Sequence, residues 1–446
     1  MFSRFRTTPH AAARTTAFLP ILIALWPSSL AADDWPQWGG PEGDCVWRET
    51  GIVERLPSGL LPRKWSTPIG EGYSGPAVAD GRVYVTDRMN EAGTERVLCL
   101  DAETGEVIWK HEYAVRYTIS YPAGPRATPT VDSGRVYTVG AQGHLFCFDA
   151  VDGDVLWRKN FVEDFETQLP TWGMAAAPVV DGNRMITLVG GADGATVVAF
   201  EKATGEEIWR AIDDPAVGYV PPRLFDFGGT RQVISWHPTA VTSLDPESGK
   251  VIWEVPFPIQ MGLCVSSPQR AGNRLFVTAF YDGPMMIEVA ADGRSAKVAW
   301  KGKSSSEIDS DGLHSIIPTP IVTTDNIYGV CSYGQLRGLD ARSGKRLWET
   351  FAATGEGRWW NAFLIPLGEP TGGQDGDRVF LHNEQGDLIV ARLSPDGYEE
   401  LSRAKLVEPT RKVNRRMTIW SHPAFAMKSV FARNDKEIVR VDLAKE

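Results

Sequence analysis

No two cysteines are adjacent in this chain of 446 residues, and there are five in all, at 45, 99, 147, 264 and 331. An odd number leaves at least one thiol unpaired, and the wide spacing offers no cysteine-rich zinc site. Histidine is scarce at seven, and neither a nucleophile elbow nor a phosphate-cradling glycine loop is present. Cationic residues are outnumbered, 46 Lys and Arg against 56 Asp and Glu, so the net charge of −10 discourages binding to nucleic acid or anionic membranes. Only one long apolar run occurs, "AFLPILIALWP" at 17–27, and it is too short to span a bilayer. With Arg4, Arg6 and Arg14 ahead of it and "SLA" at 29–31 behind, it reads as an export signal over 1–31. No cysteine stands there to carry a lipid anchor. Removal of three arginines from a net of −10 leaves about −13 on the mature chain. The expected product is periplasmic or secreted, monomeric and without a transmembrane segment.

What the chain does have is glycine, 44 of them, and 16 tryptophans. They fall in a recurring phrase: "LDAETGEVIWK" at 100–110, "FDAVDGDVLWR" at 148–158, "FEKATGEEIWR" at 200–210, "LDPESGKVIWE" at 244–254 and "LDARSGKRLWE" at 339–349. The marker tryptophans are Trp65, Trp109, Trp157, Trp209, Trp253, Trp300 and Trp348, spaced 44, 48, 52, 44, 47 and 48 residues apart. That period holds four short strands, one blade of a β-propeller. Strand–turn–strand units such as "GPAVADGRVYVT" (75–86) and "ATPTVDSGRVYTV" (127–139) supply the other strands. Residues 361–394 form a degenerate blade, and 422–443 supply only three strands. The orphan strand "RKWSTPI" (63–69) is expected to complete that last blade and remove both sheet edges. The prediction is an all-β, eight-bladed propeller of four-stranded antiparallel blades over 63–446, with 32–62 as an N-terminal extension packed on it.

Within the phrase, Gly105, Gly153, Gly205, Gly249 and Gly344 suit a turn that needs φ > 0, and the preceding Asp and Thr or Ser suit its backbone hydrogen bonds. The outer-strand tryptophans are expected to dock on the neighbouring blade, a burial worth about 2–3 kcal/mol each. Cys99 and Cys147 share one slot of the repeat, filled by Ala199 and Ser243 elsewhere, so they read as small buried residues.

The phrase resembles the tryptophan-docking repeat of pyrroloquinoline-quinone (PQQ) proteins, the eight-bladed quinoprotein propellers. That family includes quinone-dependent alcohol and sugar dehydrogenases and also cofactor-free propellers, among them the lipoprotein subunit of the outer-membrane barrel-assembly machinery. "DDWPQWGGPEGD" (33–44) and "GEGYSGPAVADGRVYV" resemble a third group, secreted bacterial PQQ-like propellers of unassigned biochemistry, with Gly39 where that group usually has arginine. A quinone dehydrogenase of this kind would carry a vicinal disulfide, which this chain lacks, and a calcium ligand set that finds no match here.

Loops on one face of a propeller surround its channel and are the default place for a ligand. Candidate ligand-binding residues there are Arg126, Trp172, His237, His314, Arg358, Trp359, Trp360, Asn361, Trp420 and His422, with Tyr121 and Trp236 nearby. The run Arg411, Lys412, Arg415 and Arg416 beside Trp420 offers cations for a carboxylate or sulfate. Glu307, Asp309 and Asp311 before Gly312 mimic half a calcium loop, with Pro318 where its closing acid belongs. Asp311 and His314 form a candidate acid/base pair. The favoured function is a non-catalytic scaffold that binds a protein, an extracellular glycan or a small anionic ligand on the loop face. The alternative is a compact PQQ- and Ca²⁺-dependent alcohol or sugar dehydrogenase.

Overall fold

The computed structural model describes residues 1–2, 34–121, 123–214, 216–413 and 415–445. The leader expected over 1–31 lies, but for its first two residues, outside them. From Ala77 onward short strands follow one another through tight turns, and four at a time they form one antiparallel sheet. Blade 1 runs Ala77–Ala79, Arg82–Met89, Thr94–Asp101 and Val107–Ala114, each strand beside its neighbour in sequence. The same order repeats through blade 7, from Ala362–Pro366 out to Gly397–Lys405. Blade 8 has Ala424–Ala426, Ser429–Arg433 and Glu437–Asp442, and its outer strand is Arg63–Pro68, with Ser66 opposite Val439 and Thr67 opposite Ile438. The eight-bladed ring is thus closed by its N-terminal strand, as the sequence predicts. Closure gives the last blade its fourth strand, and the sheet edges that remain are short.

The repeated phrase has a double physical cause. Asp101 accepts the N–H groups of Glu103 and Thr104 at 2.9 and 2.8 Å, and the five turn glycines take φ between 69° and 81°. The glycine is also required by the blade before it. A Cβ at Gly105, Gly153, Gly205, Gly249 or Gly344 would stand 2.5–2.7 Å from the indole of Trp65, Trp109, Trp157, Trp209 or Trp300 respectively. Each of these rings lies flat on the neighbouring turn. Its N–H donates to that turn's backbone, to the carbonyls of Ala102, Ala150, Lys202, Pro246 and Ala341 at 2.9–3.1 Å. Trp348 does the same with the Ser394 carbonyl at 2.9 Å.

Trp253 departs from the pattern, because the turn of blade 5 is "AADGRS" and not the repeated phrase. Its N–H donates to Gln232 Oε1 at 3.0 Å, and Gln232 Nε2 passes the contact on to the Gly293 carbonyl at 2.8 Å. Gln232 is completely buried and serves as the adapter between blades 4 and 5.

A β-bulge accompanies each docking site. In all eight blades the register shifts by one residue in the outer strand, for example between Cys99/Trp109 and Leu100/Val107. A bulge turns a side chain off the strand's regular alternation, which here points the tryptophan sideways at the next blade. The residue facing it across the strand pair is Cys99, Cys147, Ala199, Ser243 or Gly338, small as expected, with Met286 in blade 5 and Arg440 in blade 8 the exceptions. All five cysteines are free and buried. Burial pushes the thiols of Cys45, Cys99 and Cys147 up to about 12, so they are inert.

The segment before the ring runs along its inner strands. Trp35 exchanges backbone hydrogen bonds with Val78 of blade 1 at 2.7 and 2.9 Å, Pro36 accepts from Val131 of blade 2, and Trp47 donates to Pro366 of blade 7. Trp35 and Trp47 are each 1 % exposed. Residues 34–48 therefore fill the channel on the side of blades 1, 2, 7 and 8, as a plug held by backbone bonds and two buried indoles.

An aromatic cup above the channel plug

The loops that join one blade to the next converge above the plug on a cavity of about 420 Å³. All eight inter-blade loops carry an aromatic or large apolar residue facing it: Tyr73, Tyr121, Trp172, Tyr219, Leu263, Ile316, Trp359 and Trp420. Trp38 of the plug lines the cavity from within the channel. Among the sequence candidates, Arg126, Trp172, Arg358, Trp359, Trp420 and His422 meet there, together with Tyr121.

Four rings form one wall. Trp420 stacks on Tyr73 with centroids 6.2 Å apart, and meets Tyr121 edge-on at 5.5 Å and Trp359 at 6.4 Å. Trp420 is set by its N–H, which donates to Glu384 at 3.1 Å, and Glu384 is fully buried against Arg416. Tyr73 lies between two guanidinium groups, those of Arg126 and Arg411, each 5.0 Å from its ring centre. Two polar atoms of this wall, the Tyr73 hydroxyl and the Trp359 N–H, are buried without a hydrogen-bond partner among the described residues.

The cup carries cations but no carboxylate among the described residues that line it. Arg126 donates to the carbonyls of Ser120, Tyr121 and Gly124 at 2.6–3.0 Å and makes no ion pair with any described residue. Arg358 is paired with Glu307 at 2.7 Å and lies 4.7 Å from the Trp359 ring. His422 cannot act as a base on the cup. Its Nδ1 meets the Pro423 carbonyl at 2.6 Å, Trp35, Trp38 and Phe363 surround its ring, and burial pulls its pKa down to about 4.

The remaining candidates lie elsewhere. His237 is buried in blade 4 between Asp214 at 2.6 Å and Thr242 at 2.8 Å, and Trp236 beside it stacks on Phe257. Asn361 is buried against Glu384 at 3.4 Å, and Trp360 lies under Arg416. His314 is fully buried, with Nδ1 3.2 Å from the Phe280 carbonyl and Nε2 3.5 Å from Asp311. Burial lowers the pKa of His314; for Asp311 burial acts upward, but the N–H of Lys303 and His314 outweigh it and hold it low.

The half calcium loop does not assemble as a ligand set. Glu307 is taken by Arg358 and the Tyr333 hydroxyl, Asp311 by the Lys303 N–H at 2.7 Å, and Asp309 is exposed. No group of three or more His, Cys, Asp or Glu gathers to hold a metal among the described residues. The cup's own described lining likewise has no carboxylate for a cation beside a quinone, so its donor set does not fit that pair. The basic run 411–416 forms a hairpin in which Arg411 pairs with Asp435 and Arg416 with Glu384, while Lys412 and Arg415 stay exposed.

Tyr73, Tyr219 and Trp38 are not among the sequence candidates. The signal that finds the two tyrosines is positional, since each sits shortly before the inner strand of a blade, in "GYSGP" and "GYVPP".

No helix among the described residues is long and apolar enough to cross a membrane. Among solved structures, BamB from Moraxella catarrhalis is similar at 13 % identity and a TM-score of 0.53, over 86 % of this chain and 99 % of that one. The computationally designed Ika8 protein matches at 11 % identity and a TM-score of 0.53, over 87 % of this chain and 100 % of its own. The C-terminal WD40 domain of Sif2 matches at 10 % and 0.50, over 86 % and 99 %. Likeness at these identities speaks for the ring alone. No curated protein matches the chain. The model of the PQQ_2 family, described as outer membrane protein assembly factor BamB, matches residues 40–116, 93–256, 193–358 and 240–446, which together span every blade, and the chain belongs to that family of PQQ-like propeller repeat proteins.

Proposed function

We propose that this protein is an exported, non-catalytic binding scaffold whose partner is another protein, seated by an apolar or aromatic segment in the cup above the plug. The observation that carries this reading is the composition of the cup. It offers aromatic faces, two cations and unpartnered donors, while the histidine it includes is neutral and enclosed. Rigid aromatic surfaces near cationic groups are what protein anchors use, since large rings bury much area at little entropic cost. Membership of a family described by an assembly factor favours a protein over a glycan or a small anion.

The test uses Met261, which lines the cup and is exposed. A benzophenone amino acid placed there should yield a discrete covalent adduct with one protein on illumination of cells, and the adduct should vanish in Trp420→Ala. Titration of the purified protein with PQQ and Ca²⁺ should give no dye reduction with alcohols or sugars. Turnover in that assay would overturn the reading, as would crosslinking indifferent to Trp420.

A further inference from the structure

The plug leaves part of the channel open on the side of blades 3 to 5, and a second cavity, of about 580 Å³, lies there. It differs from the cup in being lined largely by polar residues, and Trp38 lines both. At its wall is Arg223, the first residue of the inner strand of blade 4, only 4 % exposed. Its guanidinium donates to Ser267 Oγ at 3.0 Å and to the Glu42 carbonyl at 3.3 Å, and no described carboxylate stands within ion-pair distance. Three of the four acids that line the cavity are committed to other arginines, and the fourth, Glu42, is exposed with its carboxylate beyond ion-pair distance of Arg223. Asp44 and Glu369 pair with Arg48 at 2.5 and 2.6 Å, and Asp226 with Arg231 at 3.6 Å.

A buried cation without a counter-charge is costly, and such groups in folded proteins are paired or meet a ligand. Neither hydrogen bond that Arg223 makes carries charge, and the Phe225 ring, 5.1 Å from its guanidinium, offsets only part of the lost solvation. Burial drives its pKa down, the sign of surroundings that do not return the solvation it gave up. A second observation points to the same spot. Gln269, on the inner strand of blade 5, also lines the cavity; it is 7 % exposed, and its side-chain nitrogen has no hydrogen-bond partner among the described residues.

We infer that Arg223 and Gln269 form a binding site for an oxyanion, the carboxylate or tetrahedral head of a small polar ligand held between the plug and blades 4 and 5. A guanidinium edge and an amide N–H₂ supply several donors and no acceptor, the complement of an oxyanion. The site is separate from the cup and does not depend on the protein-binding reading.

The test is calorimetric titration and thermal unfolding of the purified protein with acetate, citrate, sulfate and phosphate, each against sodium chloride at equal ionic strength. Saturable binding of at least one, with a rise in Tm, is expected. Preference for acetate and citrate would identify a carboxylate ligand, and preference for sulfate or phosphate a tetrahedral one. Arg223→Met should weaken that binding at least tenfold while leaving the anion-free protein as stable as before or more so, because it removes an unpaired charge. Gln269→Leu should weaken it severalfold. If no anion acts beyond chloride, or if Arg223→Met binds as the parent does, the inference fails. Should Arg223→Met not fold, unchanged binding in Gln269→Leu overturns it alone.

Discussion

Replacing Gly205 by alanine tests whether the repeated glycine serves its own turn or the tryptophan of the blade before. Gly205 has φ +73°, and a Cβ there would lie 2.7 Å from both Cδ2 and Cε3 of Trp157. Two costs follow. The left-handed backbone costs alanine about 1 kcal/mol. The indole must also move, which weakens its hydrogen bond to the Lys202 carbonyl, worth about 1 kcal/mol, and exposes part of a ring whose burial contributes about 2–3 kcal/mol. The total comes to about 3–4 kcal/mol. Gly134 is a matched control, since its φ is also +73° and a Cβ there meets nothing within 4 Å. Gly134→Ala should cost only the backbone term, about 1 kcal/mol. The difference of about 2–3 kcal/mol corresponds to roughly 3 °C in Tm for a domain of about 400 residues. Guanidinium titration of the two variants side by side resolves it. Equal losses would refute the claim that Trp157 dictates glycine at 205.

Gln232→Ala should cost about 2–4 kcal/mol by denaturant titration, because it strands the Trp253 N–H and the Gly293 carbonyl and empties a buried site; a loss under 1 kcal/mol would dismiss it as the adapter between blades 4 and 5. Trp47→Ala should cost about 3–5 kcal/mol if the plug is part of the folding unit, and a near-neutral melt would show that the plug is not. His382 and His422 are buried neutral, with burial lowering each pKa from 6.5 to about 4. The unfolded chain binds protons at 6.5 and the folded chain only near 4, so the stability they contribute is present above pH 6.5 and lost as pH falls through that window, up to about 3 kcal/mol per site. His422→Gln should make stability fall less steeply between pH 6.5 and 4, and an unchanged slope would show that the ring is not held neutral.

Much of the ring was legible because its determinants are local and repeated. Asp101 and Gly105 sit in one turn, Trp109 follows at a fixed step, and the same step recurs at Trp157 and Trp209. Periodicity turns a weak hairpin signal into a blade count, and two missing partners, the orphan strand at 63 and the three-stranded unit at 424, could only satisfy each other. The bulge before each tryptophan left no trace in composition, since a register shift depends on pairing with another strand. Gln232 was equally silent, because its role arises from what blade 5 lacks.

The site was read less fully. Trp359, Trp420 and Arg126 stand out as residues that the repeat does not need, and they do meet, whereas His237, His314 and Asn361 are buried against partners of their own away from the cup. Sequence alone determined the fold, the blade number and the face on which a ligand would be sought, because each follows from short-range spacing multiplied eight times. Tertiary structure alone decided which loop side chains reach the axis, which acids neutralise which arginines, and that Arg223 is left with none. Those outcomes depend on distances between residues as far apart as Asp44 and Glu369 or Glu42 and Arg223, and no local pattern records a distance of that kind.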